Sequence, residues 1–331
     1  GQSGTCSKTG GWNWNEPVKW NRKAAKSCGD HAGCVSVERR LQMGQPRPRV
    51  FCASLCDVFE KWDGPILDHN GVQLFRHTEE CGYKPRATSL PSGDAVCGAC
   101  GGWCKPVPMD DLRIDLFRLI DATPNLDWLL LTKRPENIRK MWPTWPGGTA
   151  PDGSDGRGSG TRHLRNVWLG CSVSDQETAD AAIPELLKCR DLAPVLFVSA
   201  EPLIGPIDLA TTCINPPQEV CGLNGPYHYD GDAGIDWVIT GGESGSKARP
   251  CSVEWIRDIS KQCQGANVAW FNKQLGVNID DPNSTMACTF PDSMCWPSGF
   301  KQDGHRIILN DSKGGDMSEW PEDLRVREFP K

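Results

Sequence analysis

The chain has 331 residues and a net charge of −6, which excludes a general basic field that would draw it onto nucleic acid; any such partner has to be held by a local patch. No apolar run approaches the ~18 residues that a membrane-spanning helix needs. Seventeen cysteines, an odd number scattered through apolar stretches as well as loops, argue against a disulfide framework in a chain long enough to bury its own core, and for a reduced, cytoplasmic setting. The opening GQSGTCSKTGG has neither a basic start nor an apolar h-region, so no signal peptide is expected.

Six short apolar runs follow in chain order: RVFCASL (49–55), DWLLLTK (127–133), NVWLGCS (166–172), VLFVSAE (195–201), DWVITGGE (236–243) and NVAWFNK (267–273). Each is continuous rather than alternating, which suits strands buried on both faces of a parallel sheet. Helical patterns lie between several of them. In MDDLRIDLFRLIDA, Leu112, Leu116, Leu119 and Ile120 share one face. Pro135 fits the first turn of a helix after LTKR, Ser174 and Glu177 form a capping box after the third run, and Ser252 caps a helix with Val253, Ile256, Ile259 and Cys263 as its apolar stripe. From the second run on, strands recur roughly every 30 to 40 residues, the size of a βα unit.

The fold expected is α/β: a partial TIM-like (βα) barrel over residues 1–275, with mostly parallel strands. A Cys-containing insertion at 63–108 and a Gly/Pro/Ser-rich flexible loop at 143–165 interrupt it. Residues 276–331, with little periodicity beyond HRIILN, are expected as an irregular tail packed on the barrel.

Polar and small residues terminate every run. Parallel α/β folds open their ligand crevice at the carboxyl ends of the strands, so these side chains are expected to converge. Glu201, Glu243, Lys133 and Lys273 are the candidate catalytic residues: two carboxylates for acid–base work or for a cationic group, and two ammonium groups for an anionic one. Ser54, Asp57, Thr132, Arg134, Ser172, Ser199, Gly241, Gly242, Ser244 and Gln274 are the candidate ligand-binding residues. Such a mouth is near neutral and suits a mixed-charge ligand. No Walker loop, HExxH or GxSxG occurs, and the six histidines fall in loop-like stretches, which makes a His-based centre unexpected.

The stretch CGACGGWC spaces Cys97, Cys100 and Cys104 as C-x2-C-x3-C. With Cys81 as a fourth ligand these thiols fit a tetrahedral structural zinc site, a zinc knuckle within the insertion; no metal and an iron–sulfur cluster are the alternatives. Cys52 and Cys56 read as core and near-core thiols.

Beyond these patterns, FCASLCDVF, NLDWLLLTKRPENI, NVWLGCSVSDQETAD, FVSAEPLIGPIDL, IDWVITGGESGSKARP and KGGDMSEWPEDLRVREFP together resemble the phage and prophage family called gene product 37/68. The resemblance covers roughly residues 12–62 and 106–331. It implies a barrel similar to radical S-adenosylmethionine enzymes, nearest in flavour to the DNA photoproduct lyases, with S-adenosylmethionine and a 4Fe-4S cluster as cofactors. The family's N-terminal cysteine segment (W-N-P, then G-C, then C-x2-C-Y) has no counterpart before GWNWNEPVKW, so the chain looks like that family without its first βα unit. The function expected from it is a lyase or transferase acting on nucleic acid or a nucleotide. The alternatives are a cluster-less barrel that binds an anionic ligand or nucleic acid without catalysis, and a metal-dependent hydrolase using Asp57, Glu201 and Glu243.

Overall fold

A computed structural model describes residues 6–8, 11–26, 46–52, 57–68, 73–77, 87–89, 95–97, 103–143, 164–209, 234–280, 301–303 and 306–330. Five of the six apolar runs become the strands of one sheet over most of their length, and the first does so over 49–52, its residues 53–55 lying outside the described ones. They are β1 (Arg49–Cys52), β2 (Asp127–Thr132), β3 (Val167–Val173), β4 (Val195–Ala200), β5 (Trp237–Gly241) and β6 (Ala269–Gln274). Their spatial order is β6-β5-β4-β3-β2-β1, so each strand lies beside its neighbour in sequence. The registers of β3 with β4, β4 with β5 and β5 with β6 are parallel. The sheet curls into a parallel half-barrel. Closing a barrel of this kind takes about eight strands.

The described residues fall into two compact units. The first contains those up to Trp128, together with Pro143; the second contains Leu129–Trp142 and everything from Leu164 on. The boundary passes through β2.

In the first unit, α1 (Gly11–Lys26) and α2 (Met109–Asp121) accompany β1. α2 buries Leu116 and Ile120 as expected, but with Arg113 and Phe117 in place of Leu112 and Leu119, which are half-buried, so the stripe is offset. Arg113 explains the offset: its guanidinium donates to the carbonyl of Val58 at 2.9 Å and pairs with Asp110, so a charged side chain is buried with its donors used. At the start of β2, Asp127 accepts from Arg47 Nε at 2.6 Å with both side chains under 10% exposed. Burial pushes the Asp127 carboxyl above its ordinary range, against the pull of Arg47. β1 departs from the expected double burial, with Phe51 44% exposed; among the described residues it is the end strand of the sheet. Within the insertion, short strands Phe75–His77, Ala87–Ser89, Ala95–Cys97 and Trp103–Pro106 form an antiparallel sheet. His77 thus lies in a strand and not a loop.

In the second unit, β2 to β5 are almost wholly buried, as continuous apolar runs require. α3 (Gln176–Leu187) packs on β3 and β4, and α4 (Val253–Ala266) on β5 and β6. The capping box of α3 is Asp175 with Thr178, one residue beyond the expected Ser174 and Glu177. Ser252 stands at the N-cap of α4 without a side-chain cap bond, and Val253, Ile256, Ile259 and Cys263 are buried as expected.

The alternation of the strands sorts their side chains onto two faces. Trp168, Gly170 and Ser172 of β3 share a face with Val195, Phe197 and Ser199 of β4, Trp237 and Ile239 of β5, and Ala269 and Phe271 of β6. An apolar floor of Leu129, Trp168, Phe197, Trp237 and Ile239 lies on that face. The Trp237 ring meets Trp168 edge-on at 5.8 Å and Phe197 at 5.6 Å between centroids. Gly170 is what admits Phe197, because a Cβ there would lie 2.3 Å from the ring. Each buried aromatic contributes about 1.5–3 kcal/mol from surface removed from water, and the polar residues sit above this floor at the carboxyl end.

The segment 309–330 runs back along β6. Asn272 N–H donates to the Val326 carbonyl and Glu328 N–H to the Trp270 carbonyl, both at 2.9 Å, in an antiparallel bridge centred on Phe271 and Arg327. Trp320 and Leu324 are fully buried, and the Phe329 ring rests on Trp237 and Phe271. No described helix is long and apolar enough to cross a membrane.

Candidate functional site

The carboxyl ends of β3, β4, β5 and β6 bring four of the expected side chains into contact. Glu201 follows β4 and Lys273 closes β6, and the Lys273 ammonium lies 3.0 and 3.3 Å from the two carboxylate oxygens of Glu201. The Ser199 hydroxyl donates to Glu201 Oε2 at 3.2 Å, and the Ser172 hydroxyl to the Glu201 main-chain carbonyl at 3.4 Å. Ser199 is buried and the Glu201 side chain only 15% exposed, whereas that of Lys273 is 52% exposed. The acid is therefore held from beneath, while the base reaches it from solvent.

Two local features of the backbone make this meeting happen. The register of β5 with β6 slips after Thr240: Thr240 faces Asn272 but Gly241 faces Gln274, so Lys273 is the extra residue of a bulge. Bulges re-aim side chains, and this one turns Lys273 towards β4. Gly241 of the intervening strand β5 abuts the carboxylate: a Cβ there would stand 2.7 Å from Glu201 Oε1. Glycine is the residue that leaves the carboxylate its place.

The other expected residues make different contacts. Glu243 accepts from the Arg249 guanidinium at 2.8 and 3.1 Å and from the Arg249 backbone N–H at 2.8 Å. These bonds, the side-chain ones foremost, hold its carboxyl below the ordinary range. Thr132 is buried and its hydroxyl accepts from the N–H of Arg134, so it closes a turn. Lys133 and Arg134 are exposed at the end of β2. Gly242 packs its backbone against the Leu275 carbonyl, Gln274 donates to the Gly242 carbonyl at 2.8 Å, and Ser244 is exposed. Asp57 belongs to the first unit, where it accepts from the N–H of Phe59 at 2.9 Å. Ser54, Cys56, Cys81 and Cys100 lie outside the described residues, as does the side chain of Cys97; Cys104 is buried in its strand. Among the described residues, no three His, Cys, Asp or Glu side chains lie together as a metal-binding group.

Sequence reasoning missed Arg249 and Asp175. Arg249 stands six residues after Glu243 in a loop, a spacing with no helical or strand periodicity to betray a pair. Asp175 is held below its usual carboxyl range first by the Thr178 N–H and then by the Thr178 hydroxyl, with a smaller contribution from Arg249. The signal for Asp175 was its place just before a helix, where Asp caps as readily as Ser.

A family model described as "Protein of unknown function (DUF5131)" matches residues 96–306. The chain belongs to this family. The DUF5131 match contains Ser172, Ser199, Glu201, Gly241 and Lys273, and so the whole cluster at the strand ends. The segment that runs back along β6 lies beyond it. Neither the curated proteins nor the solved structures provide a match to the chain.

Proposed function

We propose that the carboxyl end of β3–β6 binds a small ligand carrying both a positive and a negative group, with S-adenosylmethionine as the candidate. The observation that carries this reading is the Glu201–Lys273 pair: opposite charges on β4 and β6, meeting across Gly241 above an apolar floor. The methionyl end of the ligand fits by exchange. Its ammonium takes the place of Lys273 at Glu201, its carboxylate takes the place of Glu201 at Lys273, and the Ser172 and Ser199 hydroxyls supply further hydrogen bonds.

The resemblance to radical S-adenosylmethionine barrels and to the phage and prophage gene product 37/68 family supports extending this to a lyase or transferase. Its substrate would be a nucleotide or nucleic acid, in a reduced cytoplasm, with structural zinc in the 63–108 insertion. The described residues do not fit a 4Fe-4S cluster. Such a cluster takes clustered thiolates, whereas Cys171, Cys251 and Cys263 are separate core thiols whose pKa burial pushes up to about 12, and Cys189 to about 11. The reading therefore rests on ligand binding alone.

Isothermal titration of the full chain with S-adenosylmethionine tests it. Saturable binding is expected, weakened at least ~10-fold by Glu201→Gln and by Lys273→Met, the loss expected when one charge of a hydrogen-bonded pair is removed. Gly241→Ala should act likewise, because it displaces the carboxylate without changing any charge. The folded state should lose less than about 1 kcal/mol in Lys273→Met, since half of the Lys273 side chain is in water. Absence of binding, or binding undiminished in Glu201→Gln, would overturn the reading. Stronger binding of inorganic phosphate in Glu201→Gln, lost in Lys273→Met, would mark a purely anionic ligand instead.

A further inference from the structure

We infer that Arg327 is a positioning residue for this site, fixing the bulged backbone that presents Lys273 to Glu201. The inference rests on the reading of the Glu201–Lys273 cluster as a ligand site. As the extra residue of the bulge, Lys273 has no opposite number in the ladder with β5, so its carbonyl needs a donor from elsewhere. Arg327 supplies it: its Nη2 donates to the Lys273 carbonyl at 3.1 Å and to the Gly315 carbonyl at 3.3 Å, while its Nε donates to the Asn272 carbonyl at 3.3 Å.

The guanidinium is itself fixed between two rings, 5.4 Å from the Phe271 centroid and 5.5 Å from that of Trp320. The neighbouring bonds come from the same stretch of chain. The Leu324 carbonyl accepts from Asn272 Nδ2 at 3.1 Å, and the Gly314 carbonyl from the Leu275 N–H at 2.9 Å. Residues 314–327 thus hold the backbone on both sides of Lys273 and at its own carbonyl, although none of the bonds given above joins them to Glu201. A planar fork that reaches three carbonyls while stacked between rings is a task for arginine, and a lysine at 327 cannot reproduce it.

The test uses the full chain with Arg327→Ala and Arg327→Lys, the second keeping a positive charge between the rings should the first unfold. S-adenosylmethionine affinity should fall roughly 10-fold in both, and the loss should vanish when Lys273→Met is already present, because the two act through one group. Loss that persists in full in the Lys273→Met background would overturn the inference and leave Arg327 a structural residue only. A second readout needs no ligand: the rate at which each lysine amine is acylated, followed by mass spectrometry. Lys273 should react faster in both Arg327 variants, as it should in Glu201→Gln, with Lys261 on α4 unchanged. An unaltered Lys273 rate would overturn the inference. Should the wild-type chain fail to bind S-adenosylmethionine, the ligand reading falls and the acylation rates alone decide the role of Arg327.

Discussion

Replacing Gly170 by alanine adds one methyl group to the floor beneath Ser172 and Ser199, and the geometry says what that methyl would meet. It would lie 2.3 Å from two atoms of the Phe197 ring and 2.6 Å from a third. Carbon atoms rest at about 3.5–4.0 Å, so the ring has to retreat by more than ~1 Å. Its surroundings resist: Phe197 is fully buried, with Trp237 behind it at 5.6 Å, and Trp237 is backed in turn by Trp168. Overpacking of this kind costs about 1–3 kcal/mol, and the rigid aromatic neighbours place Gly170→Ala towards the upper end. In a unit of 150–250 residues, each kcal/mol lowers the melting temperature by about 2–4 °C. The assay is denaturant unfolding of the wild type, Gly170→Ala, Phe197→Leu and the double variant. Phe197→Leu alone should also destabilise, by about 1 kcal/mol or more from lost packing. The double variant should be more stable than the sum of the two by at least ~1 kcal/mol, because the smaller side chain leaves room for the methyl. A neutral Gly170→Ala, or strictly additive effects, would show that Phe197 and Gly170 do not share a face, and the register of β3 with β4 would be refuted.

Two further outcomes concern ionisation. Asp175, Glu243, Asp311 and Asp316 all hold their carboxyls below the ordinary range through hydrogen bonds, from the Thr178 N–H, the Arg249 side chain, the Gly315 N–H and Ser318 respectively. Because the folded values are depressed, the stability they contribute is present above the unfolded pKa of about 4 and is lost as pH falls through the folded values. Asp311→Asn should flatten the fall in stability below about pH 4, and an acid limb identical to wild type would count against that account. The thiols of Cys171, Cys251 and Cys263, held at about 12 by burial, should resist alkylation at about pH 8 until the chain is unfolded. Labelling of Cys171 in the native chain as fast as in urea would contradict its placement in the core.

The strands were legible because a parallel sheet covered on both faces demands continuous apolar runs, and few other structures do. The same continuity hid the faces. In VLFVSAE nothing distinguishes Phe197, which floors the site, from Val198 on the opposite side; only the register with Gly170 and Trp237 separates them. Glu201 and Lys273 were identifiable as charges abutting buried runs. Their pairing was not, because it depends on a bulge that sequence alternation cannot show. Glu243 looked equivalent to Glu201, yet the loop that follows it folds Arg249 onto its carboxylate. The tail looked irregular because its order comes from hydrogen bonds to β6 and from scattered burials such as Trp320 and Leu324, and neither leaves a period in the sequence.

The antiparallel bridge at Phe271 and Arg327 has a bearing on how the chain is made. Until residues 326–328 have left the ribosome, β6 presents an unpaired row of amides and carbonyls, with Phe271 beside it still uncovered by Phe329. Until then the nascent sheet is sticky at that edge, and residues 326–328 reach it in competition with any other extended chain nearby. A copy broken off before residue 326 would be the form most prone to aggregate, because it lacks residues that pair with β6 although they take no part in the half-barrel itself.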